Sequence, residues 1–166
     1  MSNKLFASLL TCLALSAVSN ATIWQFMAHM DGLQEVPPNA SPGFGMVTGT
    51  VDDATGAVTL IGDYNNMLAN VTAAHIHGAA APGSNAGVIL GLTHTGGTSG
   101  TLTGNGNISL AHVTNMMNGL TYVNVHTSAF PGGEIRGQIA IVPEPGTMVA
   151  LGLGALALVV RRRKAR

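Results

Sequence analysis

The sequence predicts an all-β, antiparallel two-sheet protein for its central 121 residues, 22–142. Three observations carry this. The apolar stretches are short and separated by turn residues, as in a sandwich or barrel of many short strands. Glycine supplies 19 of the 121 positions, many of them at the separators. No segment between the stretches has the length of a crossover helix, so neighbouring strands should run antiparallel.

The strands expected in order are 23–30, 44–51, 57–63, 72–77, 87–92, 100–108, 121–127 and 134–141. The second and third form a hairpin across Asp52-Asp53-Ala54-Thr55-Gly56, where Gly56 is free to take positive φ. One short helix is expected at 110–118, capped by Ser109 and ended by Gly119 in the left-handed conformation. Residues 93–107, rich in glycine and threonine, read partly as a flexible loop.

The flanks describe an exported chain. Lys4 precedes a mostly apolar run from Leu5 to Val18, and Ser19-Asn20-Ala21 suits signal peptidase, so 1–21 is expected to be a signal peptide. Cys12, the single cysteine, lies inside it. The processed protein would then have no disulfide, thiol nucleophile or cysteine ligand. At the other end, 143–166 has three parts: Pro143-Glu144-Pro145, an apolar helix at about 147–160, and a basic tail from Arg161. Thirteen apolar residues make a helix of roughly 20 Å against a hydrocarbon core of about 30 Å. Such a helix spans only with thinning of the bilayer or snorkelling of the arginines, and the basic tail stays cytoplasmic.

Charge narrows the chemistry of 22–142. The acids are Asp31, Glu35, Asp52, Asp53, Asp63 and Glu134, the only base is Arg136, and the net charge is −5. A nucleic acid is a poor partner for that surface. Schiff-base chemistry has no lysine to use. No Gly-x-Ser-x-Gly elbow or phosphate loop occurs, and nothing indicates a glycosidase carboxylate pair.

Histidines carry the remaining chemistry. His75 and His77 lie two apart in one expected strand and so share a face; Asn124 and His126 share a face of another. Brought together, His75, His77 and His126 would offer three imidazoles to copper or zinc, with the fourth position taken by water or Asn124 or left open. The same rings could instead orient the loops that follow them, or act as acid–base groups. His29, His94 and His112 read as exposed or incidental. Glu134 and Arg136 also share a face, giving a structural ion pair or a guanidinium fork on loop carbonyls. Glu35 and Asp63 are alternative partners for the arginine.

Several segments together resemble a known family. They are GLQEVPP (32–38), AAHIHGAAAPG (73–83) and LTYVNVHTSAFPGGEIRGQI (120–139), with the short helix before the last. They resemble the CHRD (chordin-type) domain. The resemblance implies an immunoglobulin-like β-sandwich with a distant likeness to copper/zinc superoxide dismutase. The chain departs from a dismutase in lacking a cysteine pair and an evident zinc loop. The tail resembles the PEP-CTERM sorting signal of Gram-negative bacteria on Pro143, Glu144, Pro145, the apolar helix and the basic end. That resemblance implies recognition by an exosortase-type membrane protease, passage through a membrane-anchored stage, and delivery to the outer envelope, cell surface or exterior. Proteins with this signal often accompany exopolysaccharide. The expectation is a non-enzymatic envelope or matrix module that binds protein or polysaccharide. The alternative is a copper- or zinc-binding exported protein using His75, His77 and His126, with weak redox activity.

Overall fold

Alternation along the strands builds the molecule. In a computed structural model, which describes residues 21–143, every second side chain of each strand points into one core. Phe26, Ala28 and Met30 do so from β1 (Ile23–Asp31), and Val47 and Val51 from β2 (Phe44–Asp52). Val58, Leu60 and Tyr64 follow from β3 (Ala57–Asn65), and Ala74 and Ile76 from β4 (Val71–Gly78). Leu92 of β5 (Val88–His94), Leu102 of β6 (Gly100–Asn107) and Val123 and Val125 of β7 (Thr121–Thr127) complete the layer, with Ile135 of β8 (Ile135–Gln138). Each of the valine, leucine, isoleucine, methionine and phenylalanine side chains gains about 1.5–3 kcal/mol from leaving water.

The strands close on themselves. Their order is β2-β3-β6-β5-β4-β7-β8-β1, and β1 pairs back to β2, all antiparallel. The result is an eight-stranded barrel or sandwich with one short helix. Its ring is thinly joined at two places. β5 meets β6 through two residue pairs, Thr93↔Thr103 and His94↔Leu102, and β8 meets β1 through Asp31↔Arg136 alone. Parting those seams would leave the two sheets that the sequence predicts.

The expected last strand, 134–141, is two pieces. Ile139 turns into the core and bonds back to Thr121 O, and β9 (Ala140–Val142) then pairs with Gln25–Met27 of β1. Both ends of the barrel chain therefore lie side by side. The 93–107 segment is also more ordered than expected. β5 runs through His94 and β6 starts at Gly100, leaving only 95–99 as a turn. Gly104 makes this possible, because it lies flat against Leu60 and Leu92 where a Cβ would not fit.

The β2–β3 hairpin turns at Gly56, φ +73°. α1 (Leu110–Met117) is capped by Ser109 Oγ, which accepts from His112 N, and is followed by Gly119 at φ +69°. Val113 and Met116, one helical turn apart, enter the core. Asp31 caps a 3-10 turn at Gly32–Gln34, which starts the loop leading over the outer face of β7 and β8. Among the described residues no helix is long and apolar enough to cross a membrane. The expected signal peptide, Glu144, Pro145 and the hydrophobic helix at about 147–160 lie outside the described residues.

Candidate metal centre

Register brings the histidines together. β4 and β7 pair His75↔Asn124, His77↔Tyr122 and Ala73↔His126. Directly opposed residues point to the same side of a sheet, so all six lie on the outer face, opposite Ile76, Val123 and Val125. The ring centroids of His75 and His126 are 5.1 Å apart, those of His75 and His77 5.5 Å, and those of His77 and His126 5.9 Å. One nitrogen from each ring lies within 4.8 Å of the others. Bonds of about 2.0–2.1 Å to one ion require nitrogens somewhat closer, a distance that small ring rotations cover.

Hydrogen bonds set the tautomers. His77 Nδ1 lies 2.9 Å from Ala86 O and His126 Nδ1 3.0 Å from Pro131 O. A carbonyl cannot donate, so each Nδ1 carries the proton and each Nε2 presents a lone pair. Both Nε2 atoms are buried without a partner, as is His75 Nδ1. A metal-binding imidazole is held in the same way, by a backbone carbonyl on its far nitrogen. Burial, above all, holds each of the three rings below the ordinary histidine pKa. His126 adds to the effect at His75, and His126, His75 and Arg136 add to it at His77, against the hydrogen bonds to Ala86 and Pro131 at His77 and His126. No carboxylate acts on any of them. The neutral form, which binds metal, is therefore the stable one. Across from His75 stands Gly91, with nothing near the place of a Cβ, so the centre is open on the β5 side.

The remaining histidines stay apart. His29 is exposed on β1 and His112 half-buried on α1. His94 ends β5 rather than sitting in a loop. His94 Nδ1 and His112 Nδ1 also lack partners, but neither joins a group of ligands.

The expected Glu134–Arg136 pairing gives way to separate partners. Glu134 Oε1 accepts from Ser41 Oγ and Leu68 N, both at 2.6 Å, and Oε2 from Thr127 Oγ1 at 2.6 Å. Its carboxylate is thus fully used in holding two loops and the end of β7. Arg136 instead forks onto the 79–87 loop, donating to Ser84 O at 2.8 Å and Asn85 Oδ1 at 3.2 Å, and reaches Gln138 Oε1 at 3.2 Å. Its guanidinium lies 3.5 Å from the centroid of the Tyr122 ring. Tyr122 in turn stacks on His77, 4.9 Å between centroids and 7° from parallel. The carboxylate that acts electrostatically on Arg136 is Glu35. Burial drives Glu35 up to about 7 against the pull of Arg136 and the hydrogen bonds from Val36 and Asn124. The Asn124 amide faces Glu35 Oε2 at 3.5 Å. Asp63 takes no part, being paired with Asn65 on the far side of the barrel.

The family model for the CHRD domain matches residues 26–139. The chain belongs to the CHRD family. A second model, the PEP-CTERM protein-sorting motif, matches residues 142–164. No curated protein and no solved structure matches the chain. This CHRD protein is thus an exported chain carrying the signal that an exosortase processes, with membrane-anchored transit to the cell envelope. In its CHRD domain the HIHG block and the YVNVHT block are the two strands that hold the three imidazoles. Tyr122 escaped the sequence reading although it precedes Asn124 and His126 at the same period of two. Glu35, named among the arginine's possible partners, carried no signal of its place beside Asn124, because it comes from the irregular loop before cis-Pro37.

Proposed function

We propose that this exported CHRD protein is a non-enzymatic metal-binding module, holding copper or zinc through His75, His77 and His126. The observation that carries the reading is the convergence of three neutral imidazoles, each with a buried nitrogen that no protein group satisfies. Metal binding supplies the missing partner. The His-x-His strand beside a third histidine on its neighbour also supports the distant dismutase likeness within an immunoglobulin-like sandwich. The acid–base reading gains nothing from the geometry, since no carboxylate acts on the three rings. Calorimetric titration with Cu²⁺ and Zn²⁺ tests the proposal, run beside a His75→Ala/His77→Ala variant checked for folding. Stoichiometric binding that disappears in the variant is expected. Equal binding by the variant, or none by the parent, overturns it.

A second reading, polysaccharide binding at the cell surface or outside the cell, is favoured by the opposite wall. An uncharged groove of about 890 Å³ lies over β1, β2, β3 and β6, where Thr48, Thr50, Thr59, Thr103 and Asn105 stand among the apolar Met27 and Ile61. Hydroxyls and amides without charge match a neutral polyhydroxyl chain. Co-sedimentation with the exporting cell's own matrix polysaccharide, lost in Thr48→Ala/Thr103→Ala, is the expected result; retention in the variant sinks this reading.

A further inference from the structure

We propose that Arg136, acting through the Tyr122 ring, biases the three-histidine centre toward the singly charged copper ion, Cu⁺, over divalent cations. This rests on the metal reading above and names the ion. The ligand set is three uncharged rings, so nothing in it offsets the charge of the metal. The fixed charge that acts on His77 is the Arg136 guanidinium, stacked 3.5 Å from the Tyr122 centroid, with His77 parallel to Tyr122. The arrangement is a file of three flat groups ending at the centre.

The guanidinium cannot swing away. It is 1 % exposed and is held by Ser84 O, Asn85 Oδ1 and Gln138 Oε1. Two of the three neighbouring carboxylates are spent elsewhere. Asp31, opposite Arg136 in the register, turns its carboxylate to Leu33 N, Gln34 N and the Gln34 amide. Glu134 is occupied by Ser41, Leu68 and Thr127. Glu35, buried against Asn124, acts on Arg136 and offsets part of its charge. A fixed cation about 9 Å away, across an effective dielectric of about 20, weakens ion binding on the order of tenfold per unit of ion charge. A doubly charged ion pays this twice and Cu⁺ once, so the preference between the two shifts by about tenfold.

Competition titrations with chromophoric chelators on the full-length chain in detergent test this, using Cu⁺ under anaerobic conditions and Cu²⁺ separately. Relative to the parent, Arg136→Met should raise Cu²⁺ affinity over Cu⁺ affinity by about tenfold, and Arg136→Lys should restore most of the parent ratio. Arg136 is buried and its replacement can unfold the domain, so Asn85→Asp provides a second approach. Asn85 is exposed and already accepts from Arg136; a carboxylate there neutralises the guanidinium with the same side-chain shape, at the loss of the Asn85 Nδ2 bond to Val36 O. It should shift the ratio in the same direction as Arg136→Met. An unchanged ratio in Asn85→Asp and in any folded Arg136→Met overturns the role of Arg136. A parent chain that binds neither ion overturns the metal centre itself, and this inference with it.

Discussion

Glu35 shows how one residue gives the molecule a pH response. Its carboxyl is raised to about 7 by burial, from an ordinary 4.5. Between those values the folded chain holds a proton that the unfolded chain has released, so stability is full below about 4.5 and declines as the pH rises through 7. Glu35→Gln should therefore match the parent at pH 5 and exceed it at pH 8, by on the order of 2 kcal/mol in denaturant melts. The three histidines slope the other way. Their folded values lie below 6.5, so their share of stability is present above 6.5 and lost as the pH falls. A gap between Glu35→Gln and the parent that is the same at pH 5 and pH 8 would contradict the account of Glu35. Glu134 is a residue of another kind. Its carboxylate joins two loops to the end of β7, and Glu134→Ala strands Ser41 Oγ, Leu68 N and Thr127 Oγ1. A loss of about 3 kcal/mol or more is expected from thermal or urea melts, since hydrogen bonds to a charged group are the strong ones.

At the scale of elements, the period of two did most of the work. It made β4 and β7 legible as strands with a histidine face, and the hairpin and helix caps followed from Gly56, Ser109 and Gly119. Pairing was not legible. Nothing in the residues of β4 and β7 says that they are neighbours, or that His75 stands opposite Asn124, and the stack of Arg136 on Tyr122 on His77 exists only through that register. Of the readings of the arginine, the fork on a loop carbonyl and the partner Glu35 hold, at Ser84 O and across the buried loop, and the pairing with Glu134 does not, because sharing a face on one strand says nothing about which loops fold over it. Packing between strands can be tested at Gly49 of β2. It faces inward between Val47 and Val51, and a Cβ there would run into Thr59 O and the Phe26 ring. Gly49→Val should cost about 1–3 kcal/mol by overpacking, and a variant melting within a degree of the parent would mean that this wall is loose.

The whole molecule joins a closed barrel to a sorting signal, and the two should be separable. Replacing Pro143-Glu144-Pro145 by alanines should leave the barrel's melting temperature unchanged and stop C-terminal processing, seen as an unprocessed band retained in the inner-membrane fraction. Normal release of that variant would show that the cut is directed from elsewhere. The closure of the ring also removes the free strand edges through which sheet proteins aggregate. The two sheets join through the sparse β5–β6 seam and the sequence-distant contact of β8 with β1, which is why the sequence could foresee two sheets but not their joining.

Gln25 opposite Val142 has a mechanical consequence. The barrel's entering and leaving strands emerge at one pole, side by side and antiparallel. A pull between the two termini therefore peels β9 from β1 one hydrogen bond at a time instead of shearing them together. Such a seam opens at low force from that pole, while a load applied across the histidine strands meets the long β4–β7 ladder acting all at once.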